Sequence, residues 1–386
     1  MPRAITAGLV GCGAVALYGV LPQLSLPDVK ERLDLVALCD VVAERAEAAA
    51  AKFGVPQAYA DVGEMLARAD VELVIVTTPI PYHYSIALQA LTAGRHVYVQ
   101  KTMTTTLAEA RHLIETARQR GLTLAAAPGQ MLSPAFQKMR EFVQAGELGK
   151  VYWAIGATSG FGHENESTRQ GTDVLSNVDP TWYYRPGGGP VADVAVYMLH
   201  SLTGVLGPAR RVTAMSGVGL KERPWGNTTI PVQMDDNTVL LLDHGDATFS
   251  HAGGHHCVGG PLLSWGTMGI YGSHGSVEAM EIEPYSGHPT RLTLTRHGSG
   301  NGSVGAPSSS VEIYYTPPTG LPHVTPAHMA VPEPHVYADI MHVVDCILDG
   351  GAPIPSAEHA AHVVEIIEKG YIAGRTGQTQ ELESTF

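Results

Sequence analysis

The first third of the chain alternates short apolar runs with helical segments. The apolar runs predict strands at Ile5–Val10, Leu35–Cys39, Val71–Thr77, His96–Val99 and Leu122–Ala126. The segments between them predict helices over Val42–Lys52, Val62–Ala69, Tyr84–Ala93 and Leu107–Arg120. Strands that are apolar along their whole length, alternating with helices, indicate a doubly wound parallel sheet covered on both faces. Gly94 and Gly121 stand where helices stop ahead of the fourth and fifth strands.

The pattern changes after a helix at Pro134–Gln144, closed by Gly146. Strands are predicted at Val151–Thr158, Arg211–Val218, Thr238–His244, Thr267–Tyr271, Val277–Ile282, Arg291–Thr295 and Val311–Tyr315, with a helix at Val191–Leu206 among them and two more, Val336–Leu348 and Ala357–Ala373, at the end. This is the signature of an α+β unit on a large, mostly antiparallel open sheet. The Gly/Ser-rich stretch His297–Ser310 reads as a flexible loop. The proline-rich stretch Thr316–Pro334 reads as an extended arm for subunit contacts or as a plain surface connection. The expected division is residues 1–127 and 128–386.

A length of 386 residues suits two domains, and 44% apolar residues suffice for full cores. A net charge of −13 without a basic run excludes a nucleic-acid surface. Cys12, Cys39, Cys257 and Cys346 lack Cys-x-x-Cys spacing, which fits free thiols in a reducing compartment. The apolar stretch Ala4–Leu26 is interrupted by glycines and reads as strand-turn-helix rather than as a signal peptide. No apolar run reaches membrane-spanning length. A soluble, cytoplasmic protein is expected.

The first strand runs directly into Gly11-Cys12-Gly13-Ala14-Val15-Ala16. In a Gly-x-Gly-x-x-Ala turn the first glycine makes the turn, the second admits a pyrophosphate, and the small third residue lets helix pack on strand. A second strand ends in Asp40, about 24 residues on, where a carboxylate would accept bonds from an adenosine ribose. A glycine turn can also merely join strand to helix. Thr77-Thr78-Pro79-Ile80-Pro81-Tyr82-His83 follows the third strand, and Gln100-Lys101-Thr102 the fourth. Both lie at carboxyl ends of strands, where open α/β sheets bind ligands. Gly187-Gly188-Gly189-Pro190 opens a helix carrying Asp193, Tyr197 and His200 at i, i+4 and i+7, which predicts one shared face. Asp193 could equally stabilise the helix through its dipole, and Tyr197 could be packing.

Together these segments resemble the Gfo/Idh/MocA family, named for glucose–fructose oxidoreductase, inositol dehydrogenase and a rhizopine-catabolism protein. The resemblance extends to Ile270-Tyr271-Gly272-Ser273-His274-Gly275 and to the closing helix pair. It implies an N-terminal Rossmann domain, a C-terminal domain with an open sheet, and oxidation of a sugar or cyclitol hydroxyl by a nicotinamide cofactor. The expected cofactor contacts are Gly11, Gly13, Ala14, Val15, Asp40, Thr77, Thr78, Pro79, His83, Gln100, Lys101 and Gln130. NAD is expected ahead of NADP, since Asp40 repels a 2′-phosphate. Lys101 is the first candidate for proton transfer, oriented by Asp193; Tyr197 is the second, and His200 a relay or substrate contact. Asn165, Tyr183 and Arg185 are candidate substrate contacts, or parts of a loop anchored by aromatic packing. The expected partners are a small sugar, glycoside or cyclitol and further copies of the chain, as homodimer or homotetramer.

Departures from the family pattern bear on the site. The family's Glu-Lys-Pro is Gln100-Lys101-Thr102, so a cis bond before the third residue is not expected. The family's Asn after Thr-Pro is Ile80. The usual histidine of the triple-glycine helix is Tyr197, and its final acid is His200. His251, His255, His256 and Cys257 crowd one glycine-rich segment but match zinc spacing poorly, and no metal is expected. A redox-neutral lyase, epimerase or glycosidase that retains NAD, and a non-catalytic sugar or NAD sensor, remain as alternatives.

Overall fold

In the computed structural model the described residues are 3–258, 267–280, 290–297, 308–316 and 320–386. The end of the strand expected at Val277–Ile282, most of the loop His297–Ser310 and residues 317–319 of the expected arm lie outside them.

The first sheet holds β1 (Ile5–Val10), β2 (Leu33–Cys39), β3 (Gln57–Tyr59), β4 (Leu73–Val76), β5 (His96–Val99) and β6 (Leu124–Ala126), all parallel, in the order β3-β2-β1-β4-β5-β6. All four residues of β4 are buried, as a strand covered by helices on both faces requires. Helix boundaries follow local chemistry. Asp61 and Thr106 accept the backbone N–H groups of Glu64 and Glu109 as N-caps, and Gly54 and Gly121 close helices in the left-handed region. Strand order reverses between β1 and β4, and there the carboxyl ends leave a crevice.

The second sheet contains β7 (Val151–Ser159), β8 (Arg211–Gly217), then, after the separate hairpin of β9 (Glu222–Trp225) and β10 (Thr228–Pro231), β11 (Asn237–Gly245), β12 (Thr248–His255), β13 (Thr267–Gly272), β14 (Gly275–Met280), β15 (Arg291–His297), β16 (Ser308–Tyr315) and β17 (Gln380–Glu381). Its order is β16-β15-β14-β13-β7-β12-β11-β8-β17, and β12 pairs with β7 in parallel while the other pairs are antiparallel. Strict alternation divides the faces. Leu240, Leu242, Ala252, Ile270 and Leu292 pack inward against the helix Val196–Leu206. Their neighbours Met215, Val239, Leu241, Phe249, Trp153, Val311, Ile313 and Tyr315 are exposed on the other face.

The short strands β3, β9, β10 and β17 escaped the sequence reading, because strands of two to four residues give too few alternations to detect. β12 was read as a histidine-rich segment because its glycines hide the period. The proline-rich arm contains a short helix, Pro326–Met329. Gln23, buried in the first domain, donates its amide to the carbonyls of His328, Val331 and Pro332, so the arm is an intramolecular connection over this stretch. The helix Pro334–Asp349 contributes Val336, Tyr337, Ile340 and Val344 to the same apolar cluster as Ile5, Leu9 and Tyr98.

Candidate active site

A cleft of about 640 Å³ opens along the carboxyl ends of the parallel strands. Its lining includes Gly11, Gly13, Ala14, Val15, Asp40, Thr77, Thr78, Pro79, Gln100, Lys101, Tyr183 and Asp193, twelve of the residues expected to act. The two glycines of the turn differ in kind. Gly11 has φ 98°, and a Cβ there would lie 2.7 Å from the backbone nitrogen of Thr78, so the position excludes other residues on steric grounds. A Cβ on Gly13 would meet no protein atom within 4 Å. The open side of Gly13 faces the cleft, and this is the cradle a pyrophosphate needs. Asp40 is buried beside it. It accepts the N–H of Cys12 at 2.8 Å and that of Val42 at 2.8 Å, and Arg45 approaches it at 3.4 Å. Asp40 therefore holds the turn as well as lining the cleft. These residues fit a dinucleotide.

At the far end of the cleft, Lys101 Nζ lies 2.6 Å from Asp193 Oδ1 and 2.8 Å from the Asp193 carbonyl oxygen. Asp193 is buried. Desolvation opposes its charge, but Lys101 and His163 outweigh it and hold the carboxyl well below the usual range. It stands in a π-helical turn, Val191–Ala195, that precedes the α-helix Val196–Leu206. Tyr197 turns its ring toward Lys101 Nζ at 5.4 Å, and its hydroxyl lies 3.4 Å from His335 Nε2. His200 packs 4.8 Å from His359, where burial keeps the ring neutral. Neither lines the cleft.

The bond between Lys101 and Thr102 is cis, contrary to the expectation from the missing proline. Thr102 is anchored on both sides. Its hydroxyl donates to the Ala192 carbonyl at 2.8 Å, and its own carbonyl meets His83 Nδ1 at 2.7 Å. His83 bridges from there to the Thr78 carbonyl at 2.8 Å, behind the cleft wall rather than in it. Burial pushes its titration down to about 4. Gln130, expected as a cofactor contact, is buried and donates to Ser201 Oγ at 3.2 Å, away from the cleft. Asn165 and Arg185 are exposed and also lie outside the lining.

Other residues converge on the site from loops. His163 Nε2 lies 2.6 Å from Asp193 Oδ2, and its ring stacks on Tyr183, which stacks on Trp182, each at 3.8 Å. Arg169, buried, donates to Glu166 and to the Tyr183 hydroxyl at 3.0 Å. His256 Nε2 lies 3.3 Å from Asp193 Oδ2. The sequence pointed to Asn165 and to the crowded His251, His255, His256 and Cys257; nothing in it said that His163 and His256 would meet at Asp193. His251 and His255 belong to β12, and His255 is bonded to Asn237 at 2.8 Å. The donor atoms of His163, Asp193 and His256 lie within 4.8 Å of one another. Two ligands of one tetrahedral ion stand about 3.3 Å apart for bonds of about 2.0 Å. The 2.6 Å between His163 and Asp193 is instead a charge-assisted hydrogen bond.

The open space over Gly13 generates a test. Gly13→Val is expected to fold with an unchanged melting temperature and to lose NAD affinity by about tenfold or more, read by calorimetric titration. Unchanged affinity would place the phosphates elsewhere.

The model of an oxidoreductase family with an NAD-binding Rossmann fold matches residues 5–127, and that of the GFO/IDH/MocA C-terminal domain matches residues 136–278. The chain is 24% identical over 384 residues to a D-apiose dehydrogenase of Paraburkholderia graminis, covering 97% of this chain and 89% of that protein. It is 33% identical over 203 residues to a D-glucoside 3-dehydrogenase of Escherichia coli, covering 53% and 54% of the two chains. A levoglucosan dehydrogenase solved with NADH and levoglucosan shares the fold with a TM-score of 0.77 at 17% identity, over 98% of this chain and 100% of that one. With both domains matched in order, the chain belongs to the Gfo/Idh/MocA family of NAD-binding oxidoreductases.

Proposed function

We propose that the protein oxidises a secondary hydroxyl of a sugar, glycoside or cyclitol, or reduces the matching ketone, with NAD as cofactor. The observation that carries this reading is the position of Lys101. Its amine sits at the end of β5 in the same cleft as the glycine turn, gripped from two directions by Asp193. The names of the relatives, dehydrogenases of apiose and glucosides, support a carbohydrate substrate. Trp182, Tyr183 and Tyr82 line the cleft and offer ring faces for the apolar face of a sugar.

When bound, the nicotinamide accepts the hydride. Lys101 takes the hydroxyl proton, and Asp193 keeps Nζ aimed at it. Tyr197 bounds the amine with its ring face, so its part is to position Lys101 rather than to move the proton. The pairing of Lys101 with Asp193 at 2.6 Å inside the cleft supports an enzyme over a sensor. The exposed apolar face of the nine-stranded sheet supports a further proposal, pairing with a second copy of the chain. Exposed apolar side chains from the neighbouring strands β7, β12, β11 and β8 and from β16 lie on it.

Four outcomes are expected. A panel of sugars, glycosides and inositols should include a substrate on which NADH accumulates stoichiometrically; turnover with catalytic NAD and no NADH would shift the reading to redox-neutral chemistry. On that substrate Lys101→Ala should lower kcat by about 10²–10⁴-fold while NAD affinity changes far less. NAD should bind about tenfold or more tighter than NADP, and Asp40→Ala should narrow the gap by leaving Arg45 free for a 2′-phosphate; equal affinities in the parent would defeat the role of Asp40. Light scattering should give a dimer or tetramer that Val239→Glu with Leu241→Glu reduces toward monomer.

A further inference from the structure

Arg45, Lys101 and Arg169 are the lysine and arginine side chains that line the cleft. Two of them are matched by buried carboxylates of the same lining. Arg45 gives Nη1 to Asp40 at 3.4 Å, and Lys101 gives Nζ to Asp193 at 2.6 Å. Arg169 is matched differently. Its Nε goes to Glu166, whose side chain is 40% exposed and also meets His163 Nδ1 at 2.6 Å. One half-exposed carboxylate thus serves two partners. A guanidinium carries five N–H donors in a planar fork. One N–H of Arg169 Nη2 goes to the Tyr183 hydroxyl at 3.0 Å, and Nη1 bonds no acceptor among the described residues, although the side chain is only 4% exposed.

The chain around Arg169 fixes where it stands. The carbonyl of Thr168 accepts the Tyr18 hydroxyl at 2.7 Å. Tyr18 lies in the π-helical turn Ala16–Val20, which continues directly from Gly13-Ala14-Val15. The backbone next to Arg169 is therefore tied to the helix that begins at the glycine turn. On its other side Arg169 bonds Tyr183, which stacks on His163, and His163 is bonded to Asp193. The guanidinium stands between the helix of the turn and the Lys101 end of the cleft. The turn itself, Gly11 to Ala16, supplies no cationic side chain. Its backbone N–H groups and helix dipole favour an anion but carry only partial charge. A guanidinium supplies a full charge and two parallel donors, the geometry that phosphate oxygens take best.

We propose that Arg169 is the counter-charge of the dinucleotide's pyrophosphate, brought across the cleft by the segment between β7 and the triple glycine, with Nη1 as its donor. Gly13 leaves room for the phosphates on one side, and Arg169 faces them from the other. Glu166 and Tyr183 hold the plane of the guanidinium, so little side-chain freedom is lost when an anion binds. A shared, half-exposed carboxylate is weak compensation for burying a guanidinium, and an anion in the cleft completes the pairing. Tyr18 is a positioning residue, since its hydroxyl fixes the backbone that carries Arg169. The inference rests on the assignment of the cleft to NAD and is independent of the role given to Lys101.

Binding alone tests it. NADH is followed by its fluorescence, and ADP-ribose and adenosine by calorimetric titration. Arg169→Met should weaken NADH and ADP-ribose by about 10–10²-fold, the worth of a hydrogen bond to a charged group, and adenosine by less than about twofold. Arg169→Lys keeps the charge without the fork and should recover part of the loss. Tyr18→Phe, at a position outside the cleft lining, should weaken NADH and ADP-ribose by about two- to fivefold and spare adenosine. Added salt should weaken NADH binding to the parent more than to Arg169→Met. Equal NADH affinity in the parent and Arg169→Met would overturn the proposal. So would a proportionate loss of all three ligands, which marks a support of the fold. If Arg169→Met does not fold, Arg169→Lys and Tyr18→Phe carry the same comparison, and parental affinity in both would overturn it. On the substrate found by the NAD screen, Arg169→Met should raise KM for NAD. A rise confined to the KM of the sugar, with NADH bound as in the parent, would make Arg169 a reader of an anionic substrate and overturn the proposal. A parent protein that binds no NADH would overturn it together with the cofactor assignment.

Discussion

A single buried carboxylate joins the parts of this molecule. Asp193 meets Lys101 from the end of β5, His163 from the turn after β7 and His256 from the end of β12. Removing such a carboxylate from water costs several kcal/mol, recovered only if the pairing is close and complete. The three segments are therefore not free to drift. These contacts tie the end of β5 in the parallel sheet to segments of the open-sheet half. Arg223 repeats the device one layer out, pairing with Glu164 at 3.1 Å and Asp236 at 2.9 Å, and its bond to the His256 carbonyl at 3.0 Å steadies that ring's backbone.

What was legible in the sequence was what local physics fixes. A glycine turn after an apolar strand has one steric reason to exist, and Gly11 and Gly13 divide that reason between a forced turn and an open face. Asp40 was placed by its distance along the chain from the turn, and it lies in the cleft. The parallel sheet and the alternation of β11 came from periodicities of one element each. The helix after the triple glycine is present, and it departs from the expected geometry for a local reason. The expected face assumed 3.6 residues per turn, and the π turn at Val191–Ala195 broke that assumption within its first few residues. Tyr197 still turns its ring to the Lys101 amine that Asp193 holds, while His200 packs against His359.

Loop side chains were not legible, because nothing periodic positions them. His163 and Asp193 are thirty positions apart, and the contact is made by a turn whose conformation depends on the buried pair of Glu164 and Tyr184. Gln130 and Asn165 show the converse. Each sits in a segment near the site, yet Gln130 turns to Ser201 and Asn165 turns to Glu164 at 3.1 Å. Proximity in sequence to a functional segment places a backbone, and the side chain then goes where its own hydrogen-bonding groups are satisfied.

The departures around Lys101 show how a site can keep its geometry while changing its supports. Gln100 replaces an acid, and it spends both ends of its amide locally: its oxygen accepts the Lys101 N–H at 3.2 Å, and its nitrogen donates to the Tyr98 hydroxyl at 3.2 Å. Tyr98 in turn leans on Asp339, whose buried carboxyl is pushed up to about 7 and which also takes the Gly129 N–H at 2.9 Å. Thr102 replaces a proline, and its two polar groups reach the π turn and His83. A neutral amide thus stands where a carboxylate would have been a further charge beside Lys101. With that charge gone, Asp193 is the carboxylate bonded to the amine, and its other oxygen is held by His163.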